Sequence, residues 1–207
     1  MSLDEIVCGL DEVGRGALAG PIVAAAVILP RGFNHPLLRD SKLLSARQRE
    51  AVAAVIREKT QYRLCWLGPR TIDRLGIQRC NKLIFETLIE SMIADVYLVD
   101  GNLTLSTLKP YRSVIHGEAS VPAIAAASII AKVSRDQYMT ELGAAAPIYE
   151  WNRNRGYGTK AHMTQIRLHG THPEHRLSFH IPSSPQTTRN AGRYGGATPR
   201  VSSVASL

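Results

Sequence analysis

Two short apolar runs, residues 6–10 and 22–29, stand on either side of a stretch holding Gly14, Gly16 and Gly20. Both are rich in Val and Ile and too short for packed helices, and the glycines between them suit a turn. They read as neighbouring strands whose apolar faces other elements must cover. Ser45 suits an N-cap for a helix to about Lys59, with Ala51, Val52, Val55 and Ile56 on one face. Residues 62–67 read as a strand. Pro69 then opens a helical stretch in which Ile77, Cys80, Ile84, Leu88 and Met92 recur at three-to-four spacing, divided near its start by Gly76. Residues 96–99 form a short apolar strand ending on Asp100, ahead of the turn pair Gly101-Asn102, and residues 114–115 read as another. Pro122 starts a run, 123 to 133, that is apolar nearly all round, as in a helix buried within the body of a protein. Residues 147–180 are loop-rich, and no internal repeat is visible. From 183 onward the chain is Ser, Thr, Gly and Arg with little to bury. The expectation is one α/β domain over 1–182 and a disordered basic tail over 183–207.

A length of 207 residues suits one well-buried core and is short for two. No apolar run approaches the ~18 residues of a membrane span. Asp4-Glu5 leads straight into the first strand, without the basic and apolar regions of a secretory leader. The three cysteines, Cys8, Cys65 and Cys80, lie singly in apolar segments, which is neither a disulfide framework nor a zinc spacing. Buried free thiols in a cytoplasmic protein are the expectation. The net charge of +8 points to a polyanionic partner, but the last 25 residues carry Arg189, Arg193 and Arg200 and no acid, so residues 1–182 hold +5 (8 minus 3).

The glycines after the first strand raise a dinucleotide-binding loop, and their surroundings oppose it. Asp11 and Glu12 sit directly ahead, where they would repel a pyrophosphate. The second strand runs into Leu29-Pro30-Arg31, without an acid for a ribose. The informative set is Asp11, Glu12, Asp100 and Asp136. Strand ends of an open α/β sheet are where ligands bind, and carboxylates gathered there repel unless a cation neutralises them. Oxygen donors with no cysteine pair favour Mg²⁺ or Mn²⁺ over zinc. Consecutive strand residues point to opposite faces, so Asp11 and Glu12 can share a site only where the strand kinks or ends. Asp136 has a second reading: it lies four residues after Lys132 on a helix and can simply pair with it.

These residues fall in blocks that resemble ribonuclease HII. They are CGLDEVGRGALAGP at 8–21, Asp40-Ser41-Lys42, Val99-Asp100-Gly101-Asn102, AAASIIAKVSRD at 125–136, and Gly156-Tyr157-Gly158-Thr159 with His175-Arg176 and Ser178-Phe179. Together they span roughly residues 5–182, in the family's order. The resemblance implies an RNase H-like fold, with a central mixed sheet flanked by helices and a helical C-terminal region beside the cleft. It implies Asp11, Glu12, Asp100 and Asp136 as catalytic metal-site acids for Mn²⁺ or Mg²⁺. Gly14, Arg15 and Gly16 would read a ribose 2′-OH through backbone groups, and Tyr157 would sense the same hydroxyl. Ser41 and Lys42 read equally as a backbone contact or as the start of the next helix. The implied substrates are RNA/DNA hybrids and duplex DNA containing ribonucleotides, cut 5′ to a single ribonucleotide to give 3′-hydroxyl and 5′-phosphate ends. Leu43, Gly76 and Gly117-Glu118 depart from the family's usual Lys, Asn and Gly-Asp.

Two other functions fit parts of the pattern. A non-catalytic duplex-binding module would use the same basic surface, but carboxylates in a phosphate groove are harmful without a metal. A junction-cutting DNA nuclease of the same fold would have no use for Gly14-Arg15-Gly16 with Tyr157. His162, His169, His172, His175 and His180 lack a completing cysteine or acid and read as surface or phosphate-facing groups. Trp66 and Trp151 read as core residues before base-stacking platforms, and of the two Trp151, beside Arg153 and Arg155, has the better claim to a substrate. No clamp-binding pattern follows Gln186, and a monomer without membrane contact is expected.

Overall fold

The structure, a computed structural model, describes residues 5–38 and 44–181 and the backbone of 200–204. Its centre is a mixed sheet of β1 (Val7–Val13), β2 (Ile22–Ile28), β3 (Gln61–Leu67), β4 (Val96–Asp100), β5 (Tyr111–Val114) and β6 (Arg200–Val204), in the order β5-β4-β1-β2-β3-β6. β1 runs parallel to β4, and β4 to β5, while β2, β3 and β6 continue the sheet antiparallel.

Helices cover both faces. Ile22, Ala24 and Ala26 of β2, with Cys8 and Leu10 of β1, pack against α2 (Pro69–Leu75) and α3 (Ile77–Ser91). Val23, Ala25 and Val27 pack on the other side against α1 (Ala46–Lys59) and α5 (Pro122–Ala145). Being covered twice is why β2 reads as an unbroken apolar run with no alternation. α5 can lie against β1 only because residue 9 is glycine: a Cβ there would stand 2.2 Å from the carbonyl carbon of Ala123. α1 begins where its N-cap pattern places it. Ser45 Oγ accepts from the Gln48 N–H at 3.3 Å, and Gln48 Oε1 accepts from the Ser45 N–H at 3.0 Å.

Several elements differ in extent from the sequence reading. β1 carries both acids at its end, as expected, and closes one residue later, at Val13. β5 lies at 111–114, earlier than expected. α5 runs twelve residues beyond Val133, because Ser134, Arg135, Met139 and Gly143 keep its inner face buried after the all-apolar run ends. Residues 147–180 hold α6 (Trp151–Asn154) and α7 (Lys160–His169), preceded by a 3-10 turn at Pro147–Tyr149. These pack through Tyr149, Trp151 and Ile166 onto Met139 and Ala19. Between β5 and α5 stands one more short helix, α4 (Gly117–Ser120). Residues 200–204, inside the segment read as tail, form β6 on the free edge of β3. Tyr62 pairs with Val204 and Trp66 with Arg200. The rest of that segment lies outside the described residues, apart from Ile181 ahead of it. Cys8, Cys65 and Cys80 are buried and free, as expected, with burial pushing the Cys8 thiol to about 12 and that of Cys65 to about 11.

Candidate active site

β1 and β4 place two acids side by side. Their parallel pairing ends with Leu10 opposite Val99, so the next step in register is Asp11 beside Asp100, on strands ~4.8 Å apart. By alternation both share the α5 face with Val7, Leu98 and Ile124. Asp11 is buried, and its carboxyl is pushed to about 8. Desolvation is the main cause, the charges of Glu12 and Asp100 add to it, and a hydrogen bond with Ser128 of α5 opposes it. Asp100 is raised by burial and by a hydrogen bond shared with Glu118 of α4, while the Gly117 N–H donates to its Oδ1 at 2.6 Å. Glu12 belongs to the opposite face, yet it too is raised, by burial first and by Asp100 among its charged neighbours. The strand does not end at the acids on the β2 side, where Glu12 still pairs with Ala24. It ends there on the β4 side only. That half-free edge lets side chains from both faces sense one another.

The turn after β1 is strapped down by two buried guanidiniums. Arg135 of α5 donates from Nε to the Pro21 carbonyl at 2.9 Å and from Nη2 to that of Ala19 at 3.1 Å. Arg176 donates from Nε to the Gly20 carbonyl at 2.9 Å and from Nη1 to that of Arg15 at 3.0 Å. Both are fully buried, and burial lowers the Arg176 pKa to about 9. Gly14 has φ +87°, and a Cβ there would lie 2.2 Å from Arg135 Nε, so a side chain is excluded twice over. Gly16 faces open space. Arg15 extends into solvent, with its Nη1 3.5 Å from Glu12 Oε1. The Leu18 and Ala19 N–H groups donate to the Gly156 carbonyl at 2.8 and 3.1 Å, which brings Tyr157 beside the loop, its ring 5.4 Å from the Arg135 guanidinium.

Asp136 stands apart from this group. It is eight residues beyond Ser128 on α5, a rise of ~12 Å, and pairs with Lys132 at 2.8 Å and Arg155 at 3.9 Å. The pairing reading of Asp136 is thus the contact observed. Ser41 and Lys42 lie outside the described residues. One sequence reading is corrected: His162 and His175 are buried rather than surface groups, whereas Trp151 is fully buried, as the core reading of the tryptophans expects. Glu118, Ser128, Arg135 and Arg176 were not singled out. Three of them lie inside recognised blocks, but their roles are contacts to distant segments, for which spacing carries no signal.

Comparison with known proteins decides what this arrangement belongs to. The family model for Ribonuclease HII matches residues 8–181. A Ribonuclease HII of Chlorobium luteolum is 43% identical over 187 residues, covering 84% of this chain and 88% of the relative. That of Bacteroides thetaiotaomicron is 41% identical, covering 92% and 97%. The chain belongs to the ribonuclease HII family. Its fold matches the RNase HII in the PCNA:RNase HII complex from Archaeoglobus fulgidus, with a TM-score of 0.72 at 23% identity over 83% of this chain and 92% of that one. It also matches Bst-RNase HIII in complex with Mn²⁺, with a TM-score of 0.68 at 20% identity over 85% and 67%.

Members of the ribonuclease HII family are divalent-metal-dependent endoribonucleases, and the donors here fit such an ion. Asp11, Glu12 and Asp100 offer hard oxygens and no sulfur, and each is raised in the direction that a neighbouring cation would reverse. Among the described residues no three His, Cys, Asp or Glu side chains are drawn to ligand spacing. No helix among them is long and apolar enough to cross a membrane.

Proposed function

We propose that this endonuclease hydrolyses the RNA strand of RNA/DNA hybrids and cuts duplex DNA on the 5′ side of a single embedded ribonucleotide. The observation that carries this reading is adjacency. The Arg15 turn, with one guanidinium bond to Glu12, runs from the acids to Gly156 and Tyr157. Asp11, Glu12 and Asp100 would hold Mn²⁺ or Mg²⁺, with Glu118 beside Asp100 as the nearest further carboxylate. Two such ions, when bound, supply Lewis acidity to the phosphate and the attacking water. The chain's own residues then do the reading. Gly14, Arg15 and Gly16 present backbone groups to the ribose, and Arg176, bound to the Arg15 carbonyl, keeps that peptide from turning away. Tyr157 closes the other side of the sugar, so the 2′-OH is recognised without acting as nucleophile. A partner for that hydroxyl is what separates RNA from DNA at one nucleotide. Asp136, held by Lys132 and Arg155 about two turns of α5 beyond Ser128, is the most replaceable of the four acids. Ser41 and Lys42 remain candidates for a phosphate contact.

The test is a nicking assay on an RNA/DNA hybrid, a duplex with one ribonucleotide and an all-DNA duplex, each with Mg²⁺, with Mn²⁺ and with chelator. Cleavage of the first two, in metal only, is expected. Tyr157→Phe should retain most activity, whereas Tyr157→Ala loses on the order of a hundredfold on the single-ribonucleotide duplex, the scale of a misplaced reacting group. Equal cutting of all-DNA duplex would contradict the reading.

A further inference from the structure

We infer that His162 and His175 form a neutral hydrogen-bonded strut that positions Tyr157 against the glycine turn, and that its protonation erodes discrimination for single ribonucleotides. The inference rests on Tyr157 being the 2′-OH sensor. Both imidazoles are essentially without solvent contact. His162 Nδ1 lies 2.9 Å from the Tyr157 carbonyl, which can only accept, so that nitrogen carries the proton. His162 Nε2 is therefore an acceptor, and it receives the Trp151 Nε1–H at 3.0 Å. It also faces His175 Nε2 at 3.1 Å. His175 Nδ1 accepts the His172 N–H at 2.8 Å, shorter than its 3.3 Å separation from the His172 carbonyl, which leaves its Nε2 protonated and donating to His162. In this tautomer pair of two neutral rings each contact has a donor and an acceptor, the single lone pair of His162 Nε2 being shared between the Trp151 and His175 N–H groups.

The strut joins the two halves of the reader. On the His175 side, the chain bridges to Ala19, the Glu174 carbonyl accepts from Gly20 N–H at 2.9 Å, and Arg176 N–H donates to the Leu18 carbonyl at 2.8 Å. On the His162 side, the peptide after Tyr157 is held by His162 and by the Thr159 N–H at 2.8 Å, while the Leu18 and Ala19 N–H groups hold the peptide before it. Tyr157 is thus pinned from both flanking peptides, and one pin passes through the histidines. The titratable groups around the pair are His172 and Tyr149, whose ring edges onto both. The carboxylate of neighbouring Glu174 turns away to the Tyr138 hydroxyl at 3.4 Å. Among the described residues no acid offsets a proton on either ring. Burial, then the facing His162, holds the His175 pKa down at about 4. A proton added at His175 Nδ1 would face the His172 N–H, and one added at His162 Nε2 would face the His175 Nε2–H, so either sets two donors nose to nose and breaks one bond of the strut.

The test is a ratio: kcat/KM for a single-ribonucleotide duplex over that for a continuous RNA/DNA hybrid, from pH 8 to pH 4, with NMR of the imidazole nitrogens. Both substrates are cut by the same acids, so titration of the metal centre cancels in the ratio. His162→Phe should lower the ratio about tenfold at neutral pH, the scale of a small misplacement. His162→Asn, whose amide can donate to the Tyr157 carbonyl, should restore most of it and flatten the wild-type decline below about pH 5. His162 should titrate as an Nδ1–H ring and His175 as Nε2–H. If Tyr157→Ala lowers the ratio and His162→Phe does not, the strut is overturned. If His162→Phe fails to fold, a wild-type ratio that stays flat to pH 4, or the opposite tautomers, overturns it equally. If Tyr157→Ala also leaves the ratio unchanged, it is the sensor assignment that fails.

Discussion

Asp11 sits where its neighbours make ionisation costly, and this gives it a thermodynamic signature. Its carboxyl is raised to about 8 in the folded chain, so between the ordinary carboxylate range and pH 8 the folded state binds more protons than the unfolded one. Stability of the metal-free protein therefore falls as pH rises through that window, and divalent metal should restore it, most strongly at the alkaline end. Asp11→Asn removes the cost. Thermal unfolding in chelator should show that variant more stable than wild type at pH 8, on the order of 2 kcal/mol, with the difference vanishing near pH 4. Asp11→Asn and Asp100→Asn should each lose at least ~1000-fold in turnover, as when charge stabilisation at a reacting phosphate is removed, yet bind duplex as tightly as wild type or more so. Near-normal turnover with Mg²⁺ in either variant would remove these acids from the site. At this scale the acids were legible, because strand ends and sequence blocks both point to them. Arg135, Arg176 and the histidine pair were not, since each acts on a segment far away in the chain: Arg176 on Arg15, 161 residues distant.

Most elements can be read from periodicity, and the stretches that are harder to read share a cause. The first half of α5 is apolar nearly all round, whereas its second half is buried on one side only and shows itself in little more than the Lys132–Asp136 spacing. β1 loses its apolar pattern at Leu10 and runs on through Asp11 and Glu12 to Val13. Both stretches build the site: one carries Arg135, the other Asp11 and Glu12. Gly9, which reads as an ordinary strand residue, is where α5 meets the sheet. Gly9→Ala should cost ~3 kcal/mol, as overpacking against backbone does, and should weaken cleavage by shifting Ser128 away from Asp11. Melting temperature and turnover should fall together, and an unchanged melting curve would contradict the close packing. β6 could not be foreseen from a segment with so little to bury. Its pairing covers the β3 edge. Removing residues 183–207 should leave the fold and the metal-dependent activity intact, with a loss of ~1 kcal/mol in unfolding experiments. A truncated chain that cannot fold would show the strand to be part of the core.

At the scale of the whole molecule, a net charge of +8 surrounds a cluster of buried acids, so affinity for duplex should be basic and salt-sensitive while chemistry is acidic and metal-sensitive. The two separate experimentally: salt should weaken binding to every duplex alike, whereas only the site selects the cut. The most direct measurement uses a duplex of defined sequence with one ribonucleotide in one strand, incubated with the intact protein and Mg²⁺ or Mn²⁺, and maps the cut to the nucleotide with its end groups. Acids beside a 2′-OH reader predict one nick, on the 5′ side of the ribonucleotide, leaving a 3′-hydroxyl and a 5′-phosphate, and none in the all-DNA control. A cut on the 3′ side, or a 2′,3′-cyclic phosphate end, would mean that the 2′-OH attacks rather than being recognised, and the account would be wrong at its centre.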